Sequence, residues 1–232
     1  MALRRGAMLK SVTIFQDVEP AQAEFLASRC DWHRYSKGRQ IIGQEDKTTD
    51  VFFIVQGTVQ AVGYSSAGKA VSFGDFGAGD IFGEFSAIDG LPRSSAVAAR
   101  TNCIVARLSS EVFRDILNSH PGIALRLLEI VLSKTRTLNE RVFEYSTLPV
   151  QSRLHSELLR MSQLVYTGEK SATIEPAPTH QEIASRISSH REAVTRELNR
   201  LAEEGVLTLG RRRIDVLDGT ALRELVDRAR MF

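Results

Sequence analysis

The stretch THQEIASRISSHREAVTRELNRL, residues 179–201, carries the most specific pattern in the chain. Thr179 stands three residues before Glu182, and Ser189 three before Glu192. Each pair reads as a capping box, in which a hydroxyl and a carboxylate satisfy amide protons that a helix start leaves without partners. Two helices follow, the first of about two turns. Ile183, Ala184 and Ile187 give the first an apolar face, and Val194, Leu198 and Leu201 recur at four- and three-residue steps along the second. Two short helices locked by a tight turn make a helix-turn-helix. The outward face of the second helix presents Arg191, Glu192, Thr195, Arg196, Asn199 and Arg200. Arginine matches the two major-groove acceptors of guanine, and glutamate accepts from cytosine. The N-terminal residues of such a helix reach base edges. The candidate DNA contacts are therefore His190, Arg191, Glu192, Thr195 and Arg196, with Thr179, His180 and Gln181 at the start of the first helix.

Beyond Gly205, Val206–Leu209 and Ile214–Leu217 flank the run Gly210-Arg211-Arg212-Arg213. That is a hairpin with a basic tip, a wing beside the two helices. Arg212 is its candidate phosphate contact, which makes affinity salt-dependent without reading sequence.

Toward the N-terminus the character changes. Residues 39–108 are rich in glycine and short apolar runs: Ile41-Ile42, Val51–Val55, Val59–Val62, Val71–Phe76, Ala96–Ala99 and Ile104–Leu108. Many short strands punctuated by glycine predict a β-roll or jelly roll, with a short helix over Pro20–Ser28 packed on it. After Pro121-Gly122 one long helix runs without glycine or proline. Leu128, Val131, Thr135, Leu138, Val142 and Tyr145 alternate three- and four-residue steps, the seam spacing of a coiled coil. Pro149 interrupts that helix, and Ser146–Pro149 is the expected hinge. Val150–Tyr166 reads as another helix and Thr167–Pro178 as a loop. The expected fold is α+β in three parts: a β-roll domain over 1–117, a dimerisation helix and hinge over 118–148, and a winged helix-turn-helix domain over 149–232.

Bulk properties bound the function. At 232 residues, 43% hydrophobic and 25% charged, the chain has the composition of a soluble globular protein. A net charge of +2 leaves room for a local basic face. No apolar run approaches the roughly 20 residues that span a bilayer. The N-terminus, MALRRGAMLKSVTIF, lacks the apolar core of a signal peptide. Cys30 and Cys103 alone cannot ligate an iron–sulfur cluster or zinc, so no metal is expected and a reducing, cytoplasmic setting is. Haem would need an axial ligand such as His33 or His120, each more simply structural. No nucleophile–base pattern, HExxH or phosphate-loop lysine is present, so the chain is not read as an enzyme.

Three stretches together resemble the CRP/FNR superfamily of transcription regulators, over nearly the whole chain. DVFFIVQGTV (50–59) is similar to its strand-glycine-strand pattern. GDIFGEFSAIDGLPRSSA (79–96) looks like the phosphate-binding cassette of cyclic-nucleotide domains, and the third stretch is the helix-turn-helix with Arg191, Glu192 and Arg196. The cassette makes chemical sense by itself. Glycine and small residues let backbone amides approach a phosphate. Arg93 can neutralise the phosphate, Ser94 or Ser95 can donate to it, and Glu84 suits a ribose hydroxyl. Phe82, Gly83 and Phe85 complete the candidate ligand set.

The resemblance implies that the dimer helices meet the base, at Leu138 and Asn139. Leu138 cannot hydrogen-bond it, whereas Asn139 both donates and accepts. Cyclic AMP is the first choice of allosteric ligand and cyclic GMP stays open. The resemblance further implies a cytoplasmic homodimer on palindromic double-stranded DNA with a TGTGA-like half-site, RNA polymerase as partner, and no membrane. Ser188 and His190 depart from the glycine and serine often found there, and the 167–178 loop, where the family meets the polymerase, is shorter. Two alternatives are a cyclic-nucleotide-binding regulatory or adaptor protein working through protein contacts, and a CRP/FNR-type regulator with a different or no ligand.

Overall fold

The computed structural model describes residues 2–66, 68, 70–167 and 169–230. They form two compact units, residues 1–134 and 135–232, and the boundary falls inside one continuous helix. Each unit has its own core.

The first unit opens with α1 (Ala2–Lys10), a 3₁₀ turn (Thr13–Phe15) and α2 (Pro20–Ser28). Strands β1 (Asp31–Tyr35), β2 (Gln40–Ile42), β3 (Val51–Gln56), β4 (Val59–Tyr64), β5 (Ala70–Phe76) and β6 (Ile81–Phe82) follow. Then come α3 (Glu84–Asp89), β7 (Ala96–Ala99), β8 (Cys103–Leu108), α4 (Ser110–Ser119) and α5 (Pro121–Thr147). The strands pair antiparallel into two four-stranded sheets, ordered β1-β8-β3-β6 and β2-β7-β4-β5. This is the expected β-roll.

The unbroken apolar run of β3 explains how the layers stack. Side chains alternate across a strand, so continuous hydrophobicity means burial on both faces. Phe52 and Ile54 turn toward the second sheet, among Ile42, Val59, Val97 and Val105. Val51 and Phe53 turn the other way, into a helical layer with Leu9, Phe15, Leu26, Phe113 and Leu127. Phe15 meets Phe53 edge-on with ring centroids 4.8 Å apart. Strands β1 and β6 and helix α1 escape the sequence reading. β1 (DWHRY) shows no apolar alternation, and β6 has only two residues.

The second unit holds α6 (Val150–Met161), α7 (Leu164–Thr167), β9 (Ala172–Ile174), α8 (His180–Arg186) and α9 (Arg191–Glu203). β10 (Leu207–Gly210), β11 (Arg213–Val216) and α10 (Gly219–Arg230) complete it. Leu154, Leu158, Ile183, Ile187, Val194, Leu198 and Leu201 share its core. The predicted wing is present, but β9 adds a third strand to it, in the order β10-β11-β9, from a segment read as loop. α6 stops at Met161, five residues short of the expected end, and Gln163 takes a left-handed φ of 59° before α7.

The last turns of α5 belong to the second unit through buried charge. Glu157, on α6, accepts from Arg141 of α5 at 3.2 Å, from Arg160 at 3.1 Å and from Arg186 of α8 at 3.3 Å. Glu144 receives both terminal nitrogens of Arg160, at 2.9 and 2.8 Å. The phenol of Tyr145 donates to the carbonyl of Arg186. The Ser146–Pro149 break is thus spanned by bonds on both sides, and Leu148 within it is buried.

The seam read from sequence is corrected at two positions. Val131 packs against the core of the first unit, and Tyr145 is half-buried. Both keep the seam spacing but are engaged within their own unit, Val131 against the helical layer and Tyr145 by the Arg186 carbonyl and the Arg153 guanidinium. The exposed apolar stripe is Leu125, Leu128 and Leu132, then Leu138, Val142 and Phe143. Among the described residues no helix is long and apolar enough to cross a membrane.

Because Phe53 is fully enclosed between sheet and helices, Phe53→Ala should cost about 3–5 kcal/mol. Denaturant unfolding followed by near-UV circular dichroism should show the loss in the transition of the first unit only.

Candidate functional site

Arg93 is the centre of the cassette. It is 2% exposed, and its guanidinium donates to three neutral acceptors. Nη2 reaches the Asp50 carbonyl at 2.7 Å, Nη1 the Gly83 carbonyl at 3.0 Å and Nε the Thr48 hydroxyl at 3.1 Å. Its Cζ lies 5.8 Å from the Phe52 ring centroid. Its own amide donates to the Asp46 carbonyl, and its carbonyl accepts from Glu45. Among the described residues no carboxylate comes within ion-pair distance of it. Burial pulls the guanidinium below its ordinary value, against the opposing pull of Asp50, Asp46 and Glu84. A guanidinium stays charged under such a shift, so the cassette encloses a cation that is held through neutral acceptors and not by a direct ion pair.

Gly83 is required there. Its φ is +79°, and an added Cβ would stand 2.8 Å from Arg93 Nη1 and 2.9 Å from the Asp50 carbonyl oxygen. It precedes α3 with no side-chain cap, so no side chain satisfies the first-turn amides of α3. Ser94, exposed, and Ser95, half-buried, follow Arg93 directly. These groups fit a phosphate. The Phe82 ring does not reach outward: it lies in the inter-sheet core, stacked on Phe52 at 4.9 Å. Phe85 is exposed.

Glu84 is 4% exposed and already paired, with Lys134 Nζ 2.8 Å from its Oε1. Lys134 also donates to the Ile81 carbonyl at 3.0 Å and sits 4.8 Å from the Phe76 ring centroid. Sequence reasoning missed Lys134, because nothing in its local pattern marks a partner fifty residues away. Thr48 and Asp50 were missed too, the latter because it serves through its backbone. Leu138 and Asn139 are exposed on the part of α5 that belongs to the second unit.

In the second unit the Thr179–Glu182 capping box forms. Thr179 Oγ1 accepts from the Glu182 amide at 3.2 Å, and Glu182 Oε2 from the Thr179 amide at 2.6 Å. The second predicted box does not. His190, without a side-chain cap, precedes α9, which places Glu192 second in the helix and out of register with Ser189. The cause is the turn: Ser188 takes a φ of 50°, and the Ser189 amide donates back to the Ala184 carbonyl.

Arg191, Glu192, Arg196 and Asn199 are exposed on α9, whereas Val194, Leu198 and Leu201 are buried. Gln181 and His190 are exposed as well. Thr195 is engaged inside the module. Its hydroxyl donates to the Arg191 carbonyl at 2.9 Å, so His180 Nδ1, 2.8 Å away, must carry the proton toward it. Arg200 is likewise taken, by Glu197 at 2.6 Å and Glu204 at 2.5 Å. On the wing, Arg212 is exposed at a φ of 58°, whereas Arg213 is paired with Asp215 and Glu175. Among the described residues no group of three or more His, Cys, Asp or Glu could hold a metal.

Comparison with known proteins defines the class. Residues 32–120 match the cyclic nucleotide-binding domain, and residues 152–225 match the Crp-like helix-turn-helix domain. The chain therefore joins a cyclic-nucleotide-binding domain to a DNA-binding one. The cAMP-activated global transcriptional regulator CRP of Salmonella typhimurium is 27% identical over 190 residues, covering 80% of this chain and 89% of its own. The CRP-like cAMP-activated global transcriptional regulator of Mycobacterium tuberculosis is 24% identical, covering 93% and 96%. Similar solved folds include FixK2 from Bradyrhizobium japonicum, with TM-score 0.74 and 20% identity over 84% of this chain and 96% of that one. The c-di-GMP responsive regulator CLP of Xanthomonas campestris has TM-score 0.73 and 20% identity over 87% and 100%. The chain belongs to the CRP/FNR family of transcription regulators, which is not a family of enzymes.

A pH dependence follows from two imidazoles. His155, on α6, is buried and places Nε2 2.6 Å from Glu197 Oε1. Burial holds it below the ordinary imidazole value of 6.5 despite Glu197, and Nδ1 has no partner, so it is a neutral ring donating from Nε2. Burial and then Arg191 lower His180. Groups depressed in the folded state contribute stability that is complete above the unfolded value and lost as pH falls below it. The melting temperature of the second unit should therefore drop between pH 7.5 and pH 5.5, by less in His155→Gln, as calorimetry across that range would show.

Proposed function

We propose that this chain is a cyclic-nucleotide-dependent transcription regulator, with cyclic AMP the first choice of ligand and cyclic GMP second. It acts in the cytoplasm as a homodimer on palindromic double-stranded DNA, with RNA polymerase as a further partner and no membrane. The observation that carries the ligand reading is Arg93: a buried guanidinium among neutral acceptors, beside a glycine that keeps a side chain out. A phosphodiester supplies the missing negative charge and matches the paired donors. Ser94, Ser95 and the amides of Gly83 to Phe85 join it at the phosphate, and Glu84 takes the ribose. Leu138 and Asn139 meet the base.

The exposed apolar stripe of α5 supports the dimer, because such a face is buried by a second copy in a parallel helix pair. Two recognition helices about 34 Å apart then fit successive major grooves. His190, Arg191, Glu192 and Arg196 face the bases. Thr179, His180, Gln181 and Arg212 hold the backbone, and Thr195 supports the helix from within. The ligand shifts the population toward the DNA-binding arrangement, which requires unequal affinity for the two states.

One observation favours a second reading, a family member that answers a different ligand or none. Glu84 is engaged by Lys134, and Arg93 already has three acceptors, so the cassette is bonded without a ligand. Calorimetric titration with cyclic AMP and cyclic GMP, followed by gel shifts on palindromic DNA with each, separates the two. Heat and a ligand-stimulated shift are expected. Binding to DNA that ignores both nucleotides would favour the second reading.

Arg93→Ala should abolish nucleotide-stimulated DNA binding while leaving the dimer intact by light scattering; undiminished stimulation would remove Arg93 from the site. Arg191→Ala should relax preference at one base pair at a cost of roughly 1–3 kcal/mol. If quantitative shifts show all sequences weakened equally, Arg191 is a phosphate contact.

A further inference from the structure

The apolar face of α9 contains one charged residue. Val194, Leu198 and Leu201 are fully buried along it, and Glu197 stands among them at 7% exposure. Burial alone does not call for a carboxylate there. Taking an ion out of water is costly, and a well-packed apolar side chain in its place is often neutral or stabilising. The carboxylate is held from two directions. His155, from α6, donates Nε2 to Oε1 at 2.6 Å. Arg200, one turn along α9, donates Nη2 to Oε1 at 2.6 Å and Nε to both oxygens at 3.2 and 3.1 Å.

We infer that His155 and Glu197 are positioning residues for DNA reading: their bond fixes the roll of the recognition helix on α6, and Glu197 holds Arg200 back from the DNA. This rests on the DNA reading proposed above. Ridges of aliphatic side chains on packed helices accept a range of crossing angles, scattered by some 15–20°. A short directional hydrogen bond across the interface does not. The reading residues Arg191, Glu192, Arg196 and Asn199 are exposed on the same helix as buried Glu197, so any roll of the helix carries all of them at once. Base contacts tolerate only about 0.5 Å of such movement.

The second half of the inference concerns charge. Arg200 is partly exposed, and without Glu197 it keeps only the exposed pairing with Glu204, from which it can turn to a phosphate. Paired with Glu197 and Glu204, it contributes no sequence-independent attraction.

The test uses the full-length protein and a palindromic duplex that the wild type selects from a randomised pool, with an unrelated duplex of equal length as reference. The readout is the ratio of the two affinities and its salt dependence. His155→Leu should lower the ratio at least tenfold, mainly by weakening the selected duplex. Glu197→Leu should lower it as far and also strengthen the unrelated duplex, steepening the logarithmic salt slope by about one per subunit. Single variants leave a buried group unpaired and are exposed to misfolding. The double variant His155→Leu/Glu197→Leu removes both and should regain the wild-type melting temperature without regaining the ratio. A folded double variant with the wild-type ratio and salt slope would overturn the inference, leaving the pair a packing feature. A wild type that selects no duplex would instead remove the DNA reading itself, and this inference with it.

Discussion

The first unit is built around a cation that the chain buries but does not neutralise. Arg93 ties together parts of the fold that are far apart in sequence. Its side chain binds the β2–β3 loop at Thr48 and Asp50 and the end of β6 at Gly83. Its backbone pairs with Glu45 and Asp46. The φ of Gly83 and the closeness of its missing Cβ to Nη1 both follow from that packing. A salt bridge would hold the same loops, but it would also cancel the charge. Neutral acceptors hold the geometry and leave the charge available, the condition under which a small anion gains most from entering. Lys134 brings a second cation nearby, offset by Glu84. A nucleotide that needs Glu84 must compete with that lysine, or share the carboxylate with it.

The second unit treats buried charge in the opposite way. Glu144 and Glu157 are almost wholly enclosed, yet between them they meet Arg141, Arg160, Arg186 and Arg230. Both carboxylates are taken up by arginines of the same unit. Such networks contribute little net stability relative to an apolar core, but each bond is directional, and removing one partner strands the rest. They suit a module whose task is to hold a helix at a fixed attitude. The cations that remain outward, Arg191 and Arg196 on α9 and Arg212 on the wing, carry no ion pair among the described residues. Arg200 and Arg213, equally basic in sequence, are both occupied by carboxylates.

That contrast marks what could be read from the sequence. Local and periodic signals were legible: the glycine-punctuated strands, the Thr179–Glu182 box, the alternating core face of α9, the cassette with its arginine. Short or featureless elements were not. β6 has two residues, and β9 exists only because β11 offers it an edge. The Ser189–Glu192 box had the right spacing, but the left-handed turn at Ser188 moved the helix start by one residue, and capping geometry does not survive that shift. Partner choice was the least legible. Whether an arginine faces solvent, a carbonyl or a carboxylate depends on residues brought close by folding, as Lys134 is to Glu84 and His155 to Glu197. Composition gives no hint of either pair.

Helix α5 is where these properties meet. Its apolar stripe is exposed, and its last turns are bonded into the DNA-binding unit. Tyr145 and Arg141 hold α8 at both its backbone and its side-chain level, the first through the Arg186 carbonyl and the second through the Glu157 that Arg186 also binds. α8 in turn is locked to α9 by His180 and Thr195. A displacement of the last turns of α5 therefore reaches the recognition helix through bonds between helices. It need not pass along the backbone at Ser146–Pro149. In that arrangement the proline is a change of chain direction within a unit whose helices are also tied by side-chain bonds on either side of it.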